Sequence, residues 1–252
     1  STYLLFQALK RVGAVVDYEI PDRIKDGYGI NEAIIRAAAE DGIDTILTCD
    51  NGIAAIEQAK LAAELGMTMV ITDHHDIRQD EAGEDLLPRA AAVVNPKRKD
   101  SRYPCPDICG GMVAYKLVRG LYQCMGVPEK EWQDLMAFAA IATVGDVMKL
   151  KDENRIVVKE GLKRIRQTEN MGLKKLIEKN NLDLDRLTAY HIGFVVVACL
   201  NASGRLETAK LALSLLLSED EAEADALAGK LKALNDTRKS MTAKSVEEAV
   251  KL

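Results

Sequence analysis

The sequence predicts an α/β protein in which a domain with a parallel β-sheet is followed by a mainly helical region. Up to about residue 95, segments with apolar residues at helical spacing alternate with short apolar runs, a pattern typical of a parallel α/β sheet. From about residue 107 onward the apolar residues recur mostly at helical spacing. The last such segment starts near Glu219 and shows no clear stop signal. We therefore expect one domain over residues 1–217 and a connecting helix over residues 218–252.

The individual elements of this α/β fold follow from the spacing of the apolar residues. We expect helices over residues 2–12, 30–37 and 53–65, and strands over 14–18, 45–48, 67–72 and 91–94. In the helical region we expect helices over residues 108–125, 129–144 and 153–167, shorter segments up to residue 200, and two more helices beyond Leu206. Doubly wound sheets normally begin with a strand, whereas this sequence begins with a helix. We therefore expect that a strand and its turn are missing from the N terminus, and that a further domain follows the last helix.

Composition limits the classes of protein to consider. With 252 residues and 48% hydrophobic content the chain can bury a core, and it has no apolar run of membrane-spanning length and no signal peptide. We therefore expect a cytoplasmic protein without a membrane partner. The five cysteines show no disulfide spacing, which fits a reducing compartment, and Cys105 and Cys109 are expected to be loop and core thiols. The net charge of −5 argues against coating of nucleic acid by bulk electrostatics, but it leaves a metal-dependent nuclease open.

Acidic residues follow two of the predicted strands. Asp50 follows the run LTC and Asp73 follows VIT, so both are expected at the carboxyl edge of the sheet, where such folds bind ligands. His74 and His75 come directly after Asp73, and Asp146 follows another apolar segment. Carboxylates combined with imidazoles suit Mn²⁺ or Zn²⁺, and the excess of carboxylates favours Mn²⁺ or Mg²⁺. The alternative is that Asp-His-His forms a polar surface turn and that the aspartates cap helices.

These segments resemble the motifs of the DHH phosphoesterase family. TCDNG resembles its second motif, TDHH its third and GDVMKL its fourth, in matching order and spacing. The first motif of the family, a strand followed by an Asp-x-Asp-type turn, is not found, because the sequence begins at the helix after it. The RecJ branch of single-stranded-DNA exonucleases is favoured by four further segments, which extend the resemblance over almost the whole chain: IPDRIKDGYGIN, VVNPKR, ICGGMVAYKL and LNASGRL.

The resemblance implies roles for five residues in the second, third and fourth motifs. Asp50 resembles the carboxylate that bridges two metal ions, and His74 and Asp146 resemble ligands of the second ion. His75 resembles the histidine that contacts the scissile phosphate. Asp73 is expected to orient its histidine neighbours without binding metal itself.

Other residues are candidates for contact with substrate. The resemblance implies that Arg205 binds a backbone phosphate, against the alternative of a surface ion pair in a loop. Gly110 and Gly111 precede a predicted helix, where backbone N–H groups bind phosphate, although a plain turn has the same sequence pattern. Residues 21–23 and Tyr28 are expected either to line the path of the strand or to form a structural turn.

The resemblance therefore implies a two-metal exonuclease, dependent on Mn²⁺ or Mg²⁺, that degrades single-stranded DNA from 5′ to 3′ in repair and recombination. A helicase and a single-strand-binding protein are the implied protein partners. Without the first motif, we expect weak binding of the first metal ion and slow cleavage. Three alternatives stay open: an inactive scaffold with this fold, a phosphodiesterase of short oligonucleotides or cyclic dinucleotides, and a manganese-dependent pyrophosphatase. The last two are not expected to carry the GYGIN and LNASGR segments.

Overall fold

The computed structural model describes residues 1–21, 27 and 29–251. The chain forms two compact units, Ser1–Gly161 and Leu162–Leu252. The predicted boundary at 217/218 concerns a catalytic domain rather than a packing unit, and it stays a prediction. The predicted substrate-path residues Asp22, Arg23 and Tyr28 lie outside the described residues.

The first unit contains a parallel sheet, as predicted, with three strands among the described residues rather than the four expected. Its strands are β1 (Thr45–Cys49), β2 (Thr68–Thr72) and β3 (Ala92–Val94), in the order β1-β2-β3. Cys49 pairs with Thr72, so the next residues, Asp50 and Asp73, leave neighbouring strands at the same level of the carboxyl edge. This confirms the expected placement of the two strand-end acids.

Helices cover both faces of this sheet. The helices of the first unit are α1 (Thr2–Arg11), α2 (Glu32–Glu40), α3 (Ile56–Glu64), α4 (Gly110–Cys124), α5 (Glu129–Asp134), α6 (Met136–Gly145) and the greater part of α7 (Asp152–Arg166). Leu47 of β1 packs with α1 and α4, while its neighbour Ile46 packs with α2 and α3. Because successive strand residues point to opposite faces, the short strands are apolar on both faces, as parallel sheets require.

The second unit is helical among its described residues. A 3₁₀ turn (Leu184–Arg186) and a π-helical stretch (Ile192–Val196) accompany α8 (Met171–Lys179), α9 (Ala189–His191), α10 (Val197–Leu206), α11 (Lys210–Leu217) and α12 (Glu221–Val250). The long helix α12 packs on α8, α10 and α11 and buries Ala228 and Leu231. None of the helices described here is both long and apolar enough to cross a membrane.

One predicted element was wrong, and two others differ from the prediction in their extent. The strand expected over residues 14–18 does not form: none of the three strands of the described sheet pairs with it, and Val15 is fully exposed. The helix expected over residues 129–144 is divided at Leu135 into two helices, and the spacing of the apolar residues does not mark this division. Helix α3 begins at Ile56 rather than Ile53, and in the turn before it the backbone N–H of Ile53 donates a hydrogen bond to Asp73.

Candidate metal centre

The turn after β1 holds Asp50 in an uncommon backbone conformation. Asp50 has φ +61°, in the left-handed region that few non-glycine residues adopt, and its N–H donates to Thr72 O at 2.9 Å. The turn is closed by Thr48 Oγ1, which donates to Asn51 O at 2.8 Å. Gly52 follows with φ +108°, where an added Cβ would lie 2.8 Å from Thr48 Oγ1. The tight turn therefore fixes the direction in which Asp50 leaves the strand.

Asp73, at the start of the turn after β2, organises both turns. Its side chain is 1% exposed and accepts four hydrogen bonds. Oδ2 accepts from Ile53 N at 2.9 Å, and Oδ1 accepts from the backbone N–H groups of His74 and His75. Oδ1 also lies 2.7 Å from His75 Nδ1. The carboxylate thus uses its lone pairs on the protein itself, which fits the expected orienting role.

The two consecutive histidines project into different surroundings. The His74 side chain is 10% exposed, and its Nε2 lies 3.1 Å from Asp50 Oδ1 and 3.5 Å from Asp146 Oδ2. The His75 side chain is 59% exposed, and its Nδ1 is held by Asp73, so that Nε2 is the ring nitrogen left for another partner. One imidazole is therefore placed among carboxylates and the other toward the exterior.

Asp146 joins the site from a helix rather than from a strand. It is the residue after α6, and its N–H donates to Ala142 O at 2.9 Å. Asp50, His74 and Asp146 are therefore brought together from three segments that are distant in sequence. This convergence is the arrangement that their motifs predicted.

The electrostatics of the site favour a bound cation. Burial raises the pKa of Asp50, but the hydrogen bond and the charge of His74 outweigh that effect, and the net pKa is lowered. The hydrogen bond with Asp50 raises the pKa of His74 against the opposing effect of burial. Burial raises the pKa of Asp146, and repulsion from Asp50 adds to the increase. Two partly buried carboxylates thus share one imidazole, which leaves a deficit of positive charge.

The donor atoms suit a divalent metal ion. Asp50, His74 and His75 each offer a ligand atom, and these atoms lie within 4.8 Å of one another. Asp146 is not part of that trio, but its Oδ2 contacts the same His74 nitrogen. A site with both oxygen and imidazole ligands suits Mn²⁺ better than it suits a cation that binds only oxygen ligands.

Gly110 and Gly111 are the first two residues of α4 rather than residues before it. A Cβ added at Gly110 would lie 2.1 Å from Asp50 Oδ1, and one at Gly111 would lie 2.3 Å from the Cβ of Ala142. Gly110 is therefore in direct contact with the metal centre, whereas Gly111 allows α4 to pack closely against α6. The sequence pattern alone did not distinguish these two environments.

Arg205 lies in the second unit, in helix α10, whereas the alternative of a surface ion pair had placed it in a loop. Its side chain is exposed, and it forms no ion pair with another residue in the part of the chain that the structure describes. His191, which was given no catalytic role, accepts a hydrogen bond from Thr188 N at the start of α9.

Sequence reasoning missed Asn95 as part of the site. This buried residue follows β3, and its Nδ2 donates to His75 O at 3.0 Å while its Oδ1 accepts from Lys97 N. The Lys97 ammonium in turn contacts Asp76, the residue after His75. The position of Asn95 directly after a predicted strand, like that of Asp50 and Asp73, could have indicated it. It was not chosen because carboxylates and imidazoles, rather than amides, were taken as candidate metal ligands.

Comparison with known proteins agrees with this geometry. Residues 1–143 match the DHH family, N-terminal domain. The single-stranded-DNA-specific exonuclease RecJ of Bacillus subtilis is 41% identical over 252 residues, which is 100% of this chain and 30% of that protein. The protein of the same name from Escherichia coli is 34% identical and aligns with 96% of this chain and 43% of its own length.

Solved structures show the same fold. Exonuclease RecJ bound to manganese matches with a TM-score of 0.86 and 31% identity, over 98% of this chain and 60% of that one. RecJ in complex with Mn²⁺ from Thermus thermophilus matches with a TM-score of 0.81 and 30% identity, over 98% of this chain and 34% of that one. The chain spans 30% and 43% of the lengths of the two curated relatives described above. With three family motifs converging at one edge of the sheet and a family match over more than half of its length, the chain belongs to the DHH family.

Proposed function

We propose that this chain is the core of a metal-dependent exonuclease that hydrolyses single-stranded DNA from 5′ to 3′ in repair and recombination. The observation that carries the proposal is the convergence of Asp50, His74 and His75 within 4.8 Å, with Asp146 against His74. Similarity to single-stranded-DNA-specific exonucleases along the whole chain supports the choice of substrate and reaction.

Asp50, His74 and Asp146 are the residues that would hold Mn²⁺ or Mg²⁺. When bound, such an ion lowers the pKa of a water molecule and neutralises charge that develops on the phosphate.

Other residues of the chain would bind and orient the substrate. Asp73 holds His75 through Nδ1, which leaves Nε2 to contact the scissile phosphate. The backbone N–H groups of Gly110 and Gly111 begin a fifteen-residue helix, where positive partial charge favours phosphate. The exposed guanidinium of Arg205 is suited to bind a backbone phosphate through two oxygens.

The setting of this activity is part of the proposal. All five cysteines are free, which fits a reducing cytoplasmic compartment. A helicase that supplies single strands and a single-strand-binding protein that covers them are the protein partners we propose, on the basis of the resemblance to exonucleases of this class.

The experiment is to incubate the purified chain and an Asp50→Ala variant with Mn²⁺ and end-labelled oligonucleotides. Single-stranded DNA, its duplex and single-stranded RNA of the same sequence are compared, together with a dinucleotide and a cyclic dinucleotide. Release of mononucleotides from the 5′ end of single-stranded DNA, absent in the variant, is the expected result.

Two other outcomes would replace this proposal. Preference for the dinucleotide or the cyclic dinucleotide would make the chain a phosphodiesterase of short substrates. Binding of single-stranded DNA without any Mn²⁺-dependent cleavage would make it a scaffold that keeps the fold without the chemistry.

A further inference from the structure

We propose that Gly110 is a positioning residue of the metal centre, because its bare Cα provides the space in which the Asp50 carboxylate is held toward His74. This inference rests on the proposed metal-binding function and adds to it a steric requirement on a residue that is not itself a ligand. It also gives Gly110 a role that differs from contact with a substrate phosphate.

The contact between Gly110 and Asp50 is closer than any side chain at position 110 would allow. A Cβ built on Gly110 lies 2.1 Å from Oδ1, 2.4 Å from Cγ and 2.6 Å from Cβ of Asp50, whereas real Cβ atoms essentially never approach other heavy atoms within 3.0 Å. The clash includes the Asp50 Cβ, which is bonded directly to the backbone. Rotation of the carboxylate alone therefore cannot relieve it.

Helix α4 is poorly placed to move away. Gly110 is itself buried, and the next residues, Gly111, Met112 and Val113, are buried in the same core. A Cβ on Gly111 would lie 2.3 Å from the Cβ of Ala142 in α6, which shows that α4 already packs as closely as a glycine permits. Shifting the start of α4 would disturb this packed core, and interiors of native density resist such shifts.

The turn that carries Asp50 is the element left to yield. Its backbone has a left-handed φ of +61° and is anchored by the hydrogen bond from Asp50 N to Thr72 O. A non-glycine residue keeps such a conformation only where its surroundings impose it. A methyl group at position 110 is expected to displace the carboxylate and break its 3.1 Å contact with His74 Nε2. The metal site would then lose the geometry of its central ligand.

The test compares Gly110→Ala with two matched glycine variants of the first unit. Gly161→Ala is the steric control, because its added Cβ would lie 2.3 Å from the Cβ of Ala140, in a helix contact without a metal ligand. Gly120→Ala is the open control, because its Cβ would meet nothing within 4 Å on the exposed side of α4. Mn²⁺ affinity is measured by calorimetry, stability by urea unfolding, and the position of Asp50 by crystal structures of the metal-free proteins.

The expected result is a loss of Mn²⁺ affinity in Gly110→Ala of about 10–100-fold, the range found when a residue that orients a ligand is removed. Asp50 Oδ1 should have left His74 Nε2 in the metal-free variant. Gly161→Ala should be less stable in urea but should keep the wild-type Mn²⁺ affinity, and Gly120→Ala should change neither property. A Gly110→Ala structure with the Asp50–His74 contact intact, together with wild-type affinity, would overturn the inference.

A second variant keeps the inference testable if Gly110→Ala does not fold. Combining it with Asp50→Gly removes the side chain that the new methyl group meets, so the double variant should fold as Asp50→Gly does alone. Failure of this rescue would place the clash elsewhere and refute the role. If the wild-type chain itself does not bind Mn²⁺, the proposed metal site fails, while the metal-free structures still decide whether Gly110 positions Asp50.

Discussion

The turns after β1 and β2 start with the same residue type at neighbouring positions of the sheet, yet they use their aspartates in opposite ways. Asp50 has a left-handed backbone and a side chain that is 46% exposed, and its carboxylate faces His74. Asp73 is 1% exposed and accepts four hydrogen bonds from its own and the neighbouring turn. The difference shows that a carboxylate occupied by backbone N–H groups builds a site, whereas a carboxylate left with free lone pairs can bind a ligand.

The largest effect is expected from Asp73→Ala. The substitution leaves the N–H groups of Ile53, His74 and His75 without their acceptor. The hydrogen bonds of Ile53 and His74 are buried and that of His75 is partly buried, and each unsatisfied buried group costs about 1–3 kcal/mol. We expect the free energy of unfolding, measured in urea, to fall by roughly 3–5 kcal/mol and Mn²⁺ binding to be lost with it. Asp76→Ala is the matched control, since the Asp76 side chain is exposed, and its unfolding in urea should match that of the wild type. Equal stability of both variants would remove the contrast between the two turns.

Asp50→Ala is expected to have the reverse profile. Mn²⁺ affinity should fall by more than the roughly 10–100-fold that follows loss of an outer partner, because Asp50 contacts the ion directly in the proposed site. Stability should change by less than about 1 kcal/mol, since no backbone N–H among the described residues donates a hydrogen bond to this carboxylate. Asp50→Gly should be more stable than Asp50→Ala, because glycine adopts φ +61° without strain. Urea unfolding of the two variants measures this difference, and a less stable glycine variant would argue against strain at Asp50.

His75→Ala should slow cleavage while largely preserving the metal. If Nε2 of His75 contacts the scissile phosphate, we expect the turnover number to fall by about 100-fold, as for removal of one group that stabilises the transition state. Mn²⁺ affinity, measured separately by calorimetry, should stay near wild type. His191→Ala is the histidine control, since that ring caps a helix in the second unit. A parallel loss of Mn²⁺ affinity would instead make His75 a metal ligand with Asp50 and His74.

Asn95→Ala is expected to have the smallest effect on cleavage. It removes one hydrogen bond to His75 O and one from Lys97 N at a buried position, which corresponds to about 1–2 kcal/mol of unfolding free energy. Cleavage should slow less than in His75→Ala, because only the backbone behind the ring is released. If Asn95→Ala lowered the unfolding free energy as much as Asp73→Ala, the turn after β3 rather than the turn after β2 would be the one that organises the site.

The sequence was informative wherever a short apolar run ended in a polar residue. Asp50 and Asp73 were placed correctly at the carboxyl edge, since short apolar runs that alternate with helices indicate parallel strands, and such strands end at the same edge of the sheet. The convergence of Asp146 with them was predicted from the family motifs and agrees with the geometry.

Other features depended on contacts that a pattern does not encode. The stretch over residues 14–18 has the composition of a strand, but pairing requires a neighbour, and none is present among the described strands. The left-handed backbone of Asp50 and the close approach of Gly110 both arise from packing between distant segments. The helical state of Arg205 was missed because its Asn, Ser and Gly neighbours are typical of turns, while the packed helices of the second unit override that preference.

The hydrogen bond from Ile53 N to Asp73 Oδ2 links the turn after β1 to the turn after β2. Substitutions on either side of this link should therefore show epistasis: the effect of a change beside Asp50 should depend on the state of Asp73, and the reverse. During evolution, a substitution in one turn would therefore be tolerated only together with a compensating substitution in the other turn. Recombination that exchanged only one of these strands between relatives would be expected to separate co-adapted halves of the site.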